Sequence, residues 1–311
     1  MLKYILKRLL MVIPVILLVS FVVFYAMDFV PGDAAMIALG VEATEEQLEA
    51  FREENGLNDP LLVRYFRYIR GVLHRDLGKS YYNGESVWDL FFSKFGYTLI
   101  LAAASVLFNI CLSIPLGILS GVRQNSWWDT IASSVSFVGL AMPNFWVGLL
   151  LIMLFSVQLG WLPAVGADAG WKSVILPAIT SGTGNMAALT RTTRSAMLDV
   201  LRQDYLRTAR SKGARERAVI WKHALKNAQI PIVTTIGNQC AAMIGGALIT
   251  ERVFSWPGVG NYLVSAILIS DYQVVTGFVI MIAIAISLVL LIVDILYAYI
   301  DPRVKAQYVK N

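Results

Sequence analysis

Apolar stretches alternate with charged segments along this chain in the rhythm a membrane imposes. Between successive formal charges lie six long uncharged runs, 9–27, 95–122, 130–167, 173–190, 227–250 and 272–293. A helix needs roughly 20 predominantly apolar residues to cross a bilayer. Four runs, 9–27, 95–122, 227–250 and 272–293, are each expected to cross once unaided. The run 130–167 is too long for one helix, and Pro143 and Gly160-Trp161-Leu162-Pro163 interrupt it. It reads as one crossing with a long non-cytoplasmic end. The run 173–190 is the most polar, holding Pro177, Thr180, Ser181, Gly182, Thr183, Gly184 and Asn185. Such a helix belongs inside a bundle, against other helices or a wet cavity. The expectation is an all-α integral membrane protein with six transmembrane helices.

The loops set its orientation. Segments 1–8, 123–129, 191–226 and 301–311 together carry 17 Lys and Arg, whereas 168–172 and 251–271 carry 2. Short loops rich in basic residues stay in the cytoplasm, so both termini are expected there. Residues 31–94 hold 11 acidic and 7 basic side chains and are too long to count in that balance. They form an expected external region, in which Thr44-Glu45-Glu46-Gln47 reads as a helix start and Asn55-Gly56 as its stop. The chain then divides into 1–30, a cytoplasmic segment with the first helix; 31–94, extracytoplasmic; 95–302, a core with the cytoplasmic loop 191–226; and a tail, 303–311. Lys3, Lys7 and Arg8 before an apolar run resemble a secretory signal, but the run exceeds the usual h-region and Tyr25-Ala26-Met27-Asp28 offers no cleavage site. The first helix reads as uncleaved.

Composition agrees with a lipid solvent: 57% of the 311 residues are apolar and 15% charged, against about 25% charged in soluble domains, and the mean hydropathy is +0.63. The net charge of +5 is accounted for by topology and headgroup contact, so no nucleic-acid partner is expected. Cys111 and Cys240 sit inside apolar runs, where neither a disulfide framework nor a metal site is indicated.

Catalytic patterns are missing. Leu77-Gly78-Lys79-Ser80 ends like a phosphate-binding loop, but Leu73 stands where the first glycine belongs. His74 and His223 fall in different compartments, and no His-Glu-x-x-His occurs. The chain is therefore expected to be no enzyme and to bind neither metal nor cofactor. An ion-coupled secondary carrier is the rival class, and would need an ionisable group within the bilayer. Asp28 and Asp294 lie near span ends, and Asp294 reads as a relay or as a structural partner to an interfacial base.

The 191–226 loop has its own pattern. Ala214, Ala218, Trp221, Leu225 and Ala228 recur at steps of 4, 3, 4 and 3, while Lys212, Arg215, Lys222 and Lys226 cluster on another face. A basic amphipathic helix of this kind either rests on anionic headgroups or docks a cytoplasmic protein.

Asp204-Tyr205-Leu206-Arg207-Thr208-Ala209-Arg210-Ser211-Lys212-Gly213-Ala214, then Lys222-His223-Ala224-Leu225-Lys226-Asn227-Ala228 and Pro231, resemble the ATPase-coupling loop of ABC importer permeases in the dipeptide/oligopeptide branch. Pro31-Gly32-Asp33, Gly56-Leu57-Asn58-Asp59-Pro60, Asp76-Leu77-Gly78-Lys79-Ser80, Met142-Pro143-Asn144-Phe145-Trp146, Gly160-Trp161-Leu162-Pro163, Glu251-Arg252-Val253-Phe254-Ser255-Trp256-Pro257-Gly258-Val259-Gly260 and Asp301-Pro302-Arg303 are similar, in the same order, to the B permease subunit of that branch. Where the general family carries Glu-Ala-Ala, this chain reads Arg207-Thr208-Ala209.

The resemblance implies a type I ABC importer permease fold in a bacterial or archaeal cytoplasmic membrane. It further implies a second homologous permease, two cytoplasmic ATPase subunits that hold the ATP and magnesium, and an external solute-binding protein. The implied cargo is a dipeptide or short oligopeptide, with nickel chelates, glutathione and oligosaccharides as alternatives. Arg207, Thr208, Ala209, Gly213, Ala214, Ala218, Trp221 and Leu225 are the candidate ATPase-coupling residues. Pro143, Asn144, Phe145 and Trp146 would kink a helix beside the substrate pathway or simply pack, and Thr180, Ser181, Thr183 and Asn185 would give it a polar wall. Phe254, Trp256, Pro257, Gly258 and Gly260 belong either to a structural lid or to an external gate or binding-protein dock.

Overall fold

The computed structural model describes residues 2–29, 32–40 and 42–300, with the side chains of 2–5, 7, 8 and 296–300 left aside. Pro31, the Asp301-Pro302-Arg303 motif and the tail 303–311 lie outside the described residues. Apart from one antiparallel bridge, Lys79 to Ser86, every regular element among them is helical.

The first helix, α1 (Leu2–Asp28), leads into a small cap of three helices, α2 (Ala34–Leu39), α3 (Glu45–Glu54) and α4 (Leu61–Leu73). The expected helix start is realised as a capping box. The Thr44 hydroxyl accepts from the Gln47 N–H at 3.4 Å, and the Gln47 side chain accepts from the Thr44 N–H at 2.9 Å. Arg52 ties the cap together by donating to Asp33, Glu45 and Glu49. Arg64 pairs with Asp28 at 2.6 Å, so the acid at the end of α1 serves to anchor α4.

The next long apolar helix, α5, runs over Val87–Val122. It begins ahead of the uncharged run 95–122 because Ser86 caps it and Asp89 occupies its first turn, both favourable at a helix N-terminus. Next come α6 (Trp127–Ala141) and α7 (Asn144–Leu151), the latter continuing as a π-helical segment, Ile152–Gln158. The pair is bent by 101° at Met142-Pro143, where proline cannot carry the ladder on. The run 173–190 is divided between α8 (Trp171–Gly184) and α9 (Met186–Leu201). Then follow α10 (Asp204–Ser211), the single turn α11 (Glu216–Ala218), a second π-helical segment (Val219–Ala224), α12 (Leu225–Gly246), α13 (Leu248–Val253), α14 (Val259–Leu268) and α15 (Tyr272–Ile300).

Among the described residues, three helices are long and apolar enough to cross a membrane, Leu9–Asp28, Val87–Val122 and Tyr272–Ile295, and the bent α6–α7 pair would make a fourth. The run 227–250, expected to cross unaided, is not among them. Its helix carries Thr234, Thr235, Asn238 and Gln239, polar side chains that lower its hydropathy and suit a face turned away from lipid. As expected, the polar run 173–190 is held inside the bundle, with Leu176, Pro177, Thr180, Ser181 and Gly182 buried.

The helix α5 is the axis of the molecule, packed along α9, α8 and α12. At its end, Gly117 lies so close to Thr193 and the Thr190 carbonyl that a Cβ would overlap them. One core, with Leu77, Val87, Phe91, Val274 and Phe278, surrounds the start of α5 beside the cap. A second, with Ile118, Leu189, Met197, Leu206, Val219 and Ala224, surrounds its other end. At 1.5 Å per residue, Val87 and Ile118 are roughly 45 Å apart. The cap and the basic 191–226 loop thus occupy opposite ends.

Candidate coupling surface and translocation face

At the loop end, α10 buries Leu206 completely, while Tyr205, Arg207 and Thr208 are exposed and Ala209 is half-buried. The chain then reverses through Gly213, whose φ of +79° favours glycine and above which a Cβ would meet open space. Arg210 clamps this reversal with two bonds to Glu216, at 3.0 and 2.8 Å. That pairing holds the Glu216 carboxyl below its ordinary value and pushes the Arg210 guanidinium up.

The expected stripe is corrected by the helix geometry beyond the turn. Val219, Ala224, Ala228 and Ile232 are the buried positions, at steps of 5, 4 and 4 along the sequence, because Val219–Ala224 is π-helical. The wider turn shifts the phase that a 3.6-residue period predicts. Ala214, Ala218 and Leu225 stay half-buried, but Trp221 is rotated outward and is 49% exposed. Its neighbours are charged. The Arg207 side chain is 80% exposed, with Asp204 only at 3.8 Å, and among the described residues Lys212, Arg215, Arg217 and Lys222 form no ion pair.

The middle of the bundle brings two sequence-predicted groups together. Asn144, at the start of α7, lies against Gly184, and Gly139 lies against the Thr183 carbonyl. The α6–α7 bend and the α8–α9 break therefore meet, with Pro143, Phe145 and Trp146 exposed beside them and Thr183 and Asn185 half-buried. Thr180 and Ser181 take a different place from that expected of a pathway wall. Both are buried within this chain, Thr180 donating to the Leu176 carbonyl at 2.9 Å and Ser181 to the Thr250 hydroxyl at 2.9 Å.

A buried amide relay supports this junction. Asn109 on α5 donates to the Gln239 side-chain oxygen at 2.8 Å, and Gln239 on α12 donates to the Asn185 carbonyl at 3.0 Å. Ser113 donates to Asn109 and, at 3.3 Å, to the Met186 carbonyl. Side chains thus take up carbonyls at a helix break. The sequence signal was there, amide side chains inside uncharged runs, but nothing local pairs residues 130 positions apart. The exposed face of α12 is small and polar: Pro231, Asn238, Ala242, Gly245 and Gly246 are exposed and Thr235 is half-buried.

At the cap end, the Glu251–Gly260 stretch folds inward. Phe254 and Trp256 are 1% and 2% exposed, Gly258 and Gly260 are buried and Pro257 is half-buried. The Trp256 indole donates to the Tyr97 carbonyl at 2.9 Å. The Glu251 carboxylate accepts from the Thr98 hydroxyl at 2.7 Å and the Asn261 N–H at 3.0 Å. A Cβ on Gly258 would fall on that carboxylate. Neither aromatic ring is accessible from the surface, so both serve as packing within this stretch.

Two family models match the chain. Residues 113–306 match "Binding-protein-dependent transport system inner membrane component", and residues 1–102 match the N-terminal component of the same systems. The glutathione transport system permease protein GsiC of Salmonella paratyphi A is 41% identical over 98% of this chain and 99% of its own. GsiC of Escherichia coli K12 is 40% identical with the same coverage. Among solved structures, an inward-facing MetNI methionine ABC transporter chain superposes with a TM-score of 0.58 at 17% identity, covering 68% of this chain and 96% of that one. A chain of an amino acid ABC transporter with histidines gives 0.51 at 17%, covering 69% and 94%.

Proposed function

We propose that this chain, which belongs to the family of binding-protein-dependent transport system inner membrane components, is the permease subunit of an ATP-driven importer of short peptides, with glutathione, itself a tripeptide, as the first candidate cargo. The coupling assignment rests on one observation. At one end of the bundle Arg207, Lys212, Gly213 and Trp221 present an exposed basic and aromatic surface, built on a buried seat of Leu206, Val219 and Ala224. Such a surface suits a soluble partner that brings its own acidic groups and a pocket for the indole. In this reading that partner is an ATPase subunit, which supplies ATP and magnesium, so the loop end faces the cytoplasm and the cap faces outward. The permease itself performs no bond chemistry.

The translocation route runs along the α12 face with Thr235 and Asn238, beside Asn144 and Asn185. Its side chains are uncharged, so a zwitterionic or anionic peptide passes without being held, and selectivity belongs to the external binding protein. A second homologous permease completes the route, because one chain leaves this face open. Glutathione is favoured by the relatives that match over nearly their full length, which are named for its transport.

The test is uptake by the assembled transporter in proteoliposomes, with ATP enclosed on the ATPase side. Labelled glutathione is expected to accumulate only with the binding protein and hydrolysable ATP present. Accumulation of dialanine or a pentapeptide instead would move the cargo within the class. Uptake by this chain alone on a proton or sodium gradient would replace the reading by a secondary carrier.

A further inference from the structure

The segment that imitates a phosphate-binding loop, Asp76-Leu77-Gly78-Lys79-Ser80, has another occupation. Ser80 is buried, and its hydroxyl donates to the Asp271 carboxylate at 2.5 Å across 191 residues of sequence. The same carboxylate accepts the Tyr81 N–H at 3.3 Å and caps α15 by accepting the Val274 N–H at 3.4 Å. Asp271 is 2% exposed. Around this clasp the cap closes on the first turns of α15. A Cβ on Gly78, whose φ is +81°, would fall on the Gln273 amide, one on Gly32 would meet the Tyr272 hydroxyl, and Leu77 packs in one core with Val274 and Phe278. Farther along, α15 packs against α12, with Ile286 on Gly245 and Val293 on Gly237, and α12 is the helix that grows out of the π-helical segment of the coupling surface.

We propose that Ser80 and Asp271 are positioning residues that transmit the seating of the binding protein on the cap into α15 and so into α12. This rests on the importer reading above. A hydrogen bond to a buried carboxylate at the head of a helix makes cap and helix move as one body. Without it the cap can be pressed or tilted with α15 left behind.

The experiment measures ATPase activity of the assembled transporter in nanodiscs, with and without glutathione-loaded binding protein, and binding-protein affinity on the same discs. Ser80→Ala and Asp271→Asn are expected to keep basal hydrolysis and binding-protein affinity within about twofold while stimulation falls at least about fivefold. The double variant should be no worse than the more impaired single one. Ser80→Thr, which keeps the hydroxyl, should retain stimulation. So should Tyr68→Phe, which removes a buried hydroxyl that has no partner and controls for general damage to the cap. Equal stimulation in Ser80→Ala and wild type, or a loss matched by the same loss of affinity or shared by Tyr68→Phe, would overturn the proposal. A wild-type transporter that the binding protein never stimulates would instead remove the delivery reading, and the clasp's role with it.

Discussion

The two ends of this molecule treat their polar side chains in opposite ways. At the cap end each key charge is used up inside the chain: Arg52 serves three carboxylates, Asp271 takes three donors, and Glu251 holds the Thr98 hydroxyl and the Asn261 N–H. At the loop end Arg210 and Glu216 close one turn, and the remaining bases around Trp221 stand in the open. Buried polar groups with full sets of partners fix a shape, whereas exposed charges contribute little to folding and leave affinity for something else. The cap end is built to be rigid and the loop end to be met.

Removing a charge from each end should separate the two most widely. Glu251→Leu strands the Thr98 hydroxyl and backbone donors in a buried site, at about 1–3 kcal/mol for each, so folded yield and thermal stability in detergent should drop sharply. Arg207→Leu should change stability by less than about 0.5 kcal/mol, as exposed positions do, yet weaken copurification of the ATPases. A stable Glu251→Leu protein, or an unstable Arg207→Leu one, would dissolve the contrast.

The amide relay tests whether the mid-bundle junction belongs with the rigid end. Asn109→Leu and Gln239→Leu should each cost about 1–3 kcal/mol by leaving the other amide unpaired. The double variant should cost less than their sum, with a coupling of about 1 kcal/mol measured by unfolding in mixed micelles.

Gly213 sharpens the loop end. With a φ of +79° and open space above it, its need is conformational, and Gly213→Leu should strain the turn by about 1–2 kcal/mol. ATPase association should fall roughly 5- to 30-fold, while the subunit stays in the membrane. Gly213→Asn, which tolerates this backbone region, should stay close to wild type. Equal loss in both would mean that the partner needs the missing side chain itself.

The smallest effect is the pH dependence of the cap. Arg52 holds the Asp33 and Glu49 carboxyls below their ordinary values of 3.8 and 4.5. The unfolded cap therefore binds protons first on acidification. The stabilisation is complete above those values and is lost as pH falls through and below them. Limited proteolysis should show the cap opening below about pH 4, and Arg52→Gln should make it protease-sensitive at neutral pH with a flatter acid response.

Much of this architecture was legible in the chain because it follows from local rules. The Thr44 box, the break at Met142-Pro143 and the burial of the polar 173–190 run each need a few neighbouring residues only. Three features were not legible. The departure of Trp221 from the stripe of Ala214, Ala218 and Leu225 was one, because a 3.6-residue period puts all four in line and a π-helical turn leaves no periodic signature. Phe254 and Trp256 fit a structural lid and an external dock equally well as sequence, because their burial depends on Tyr97, Thr98 and the Glu251 carboxylate, far apart along the chain. The Ser80–Asp271 clasp joins residues 191 apart, and no local pattern announces such a pair.

In the importer proposed above, the two ends meet different partners, an ATPase at the loop and a binding protein at the cap. A photo-crosslinking amino acid placed at Trp221 or at Glu46 in the assembled transporter tests it in one gel. The Trp221 position is expected to capture an ATPase subunit and the Glu46 position the binding protein. Capture of the ATPase at Glu46, or of the binding protein at Trp221, would contradict it.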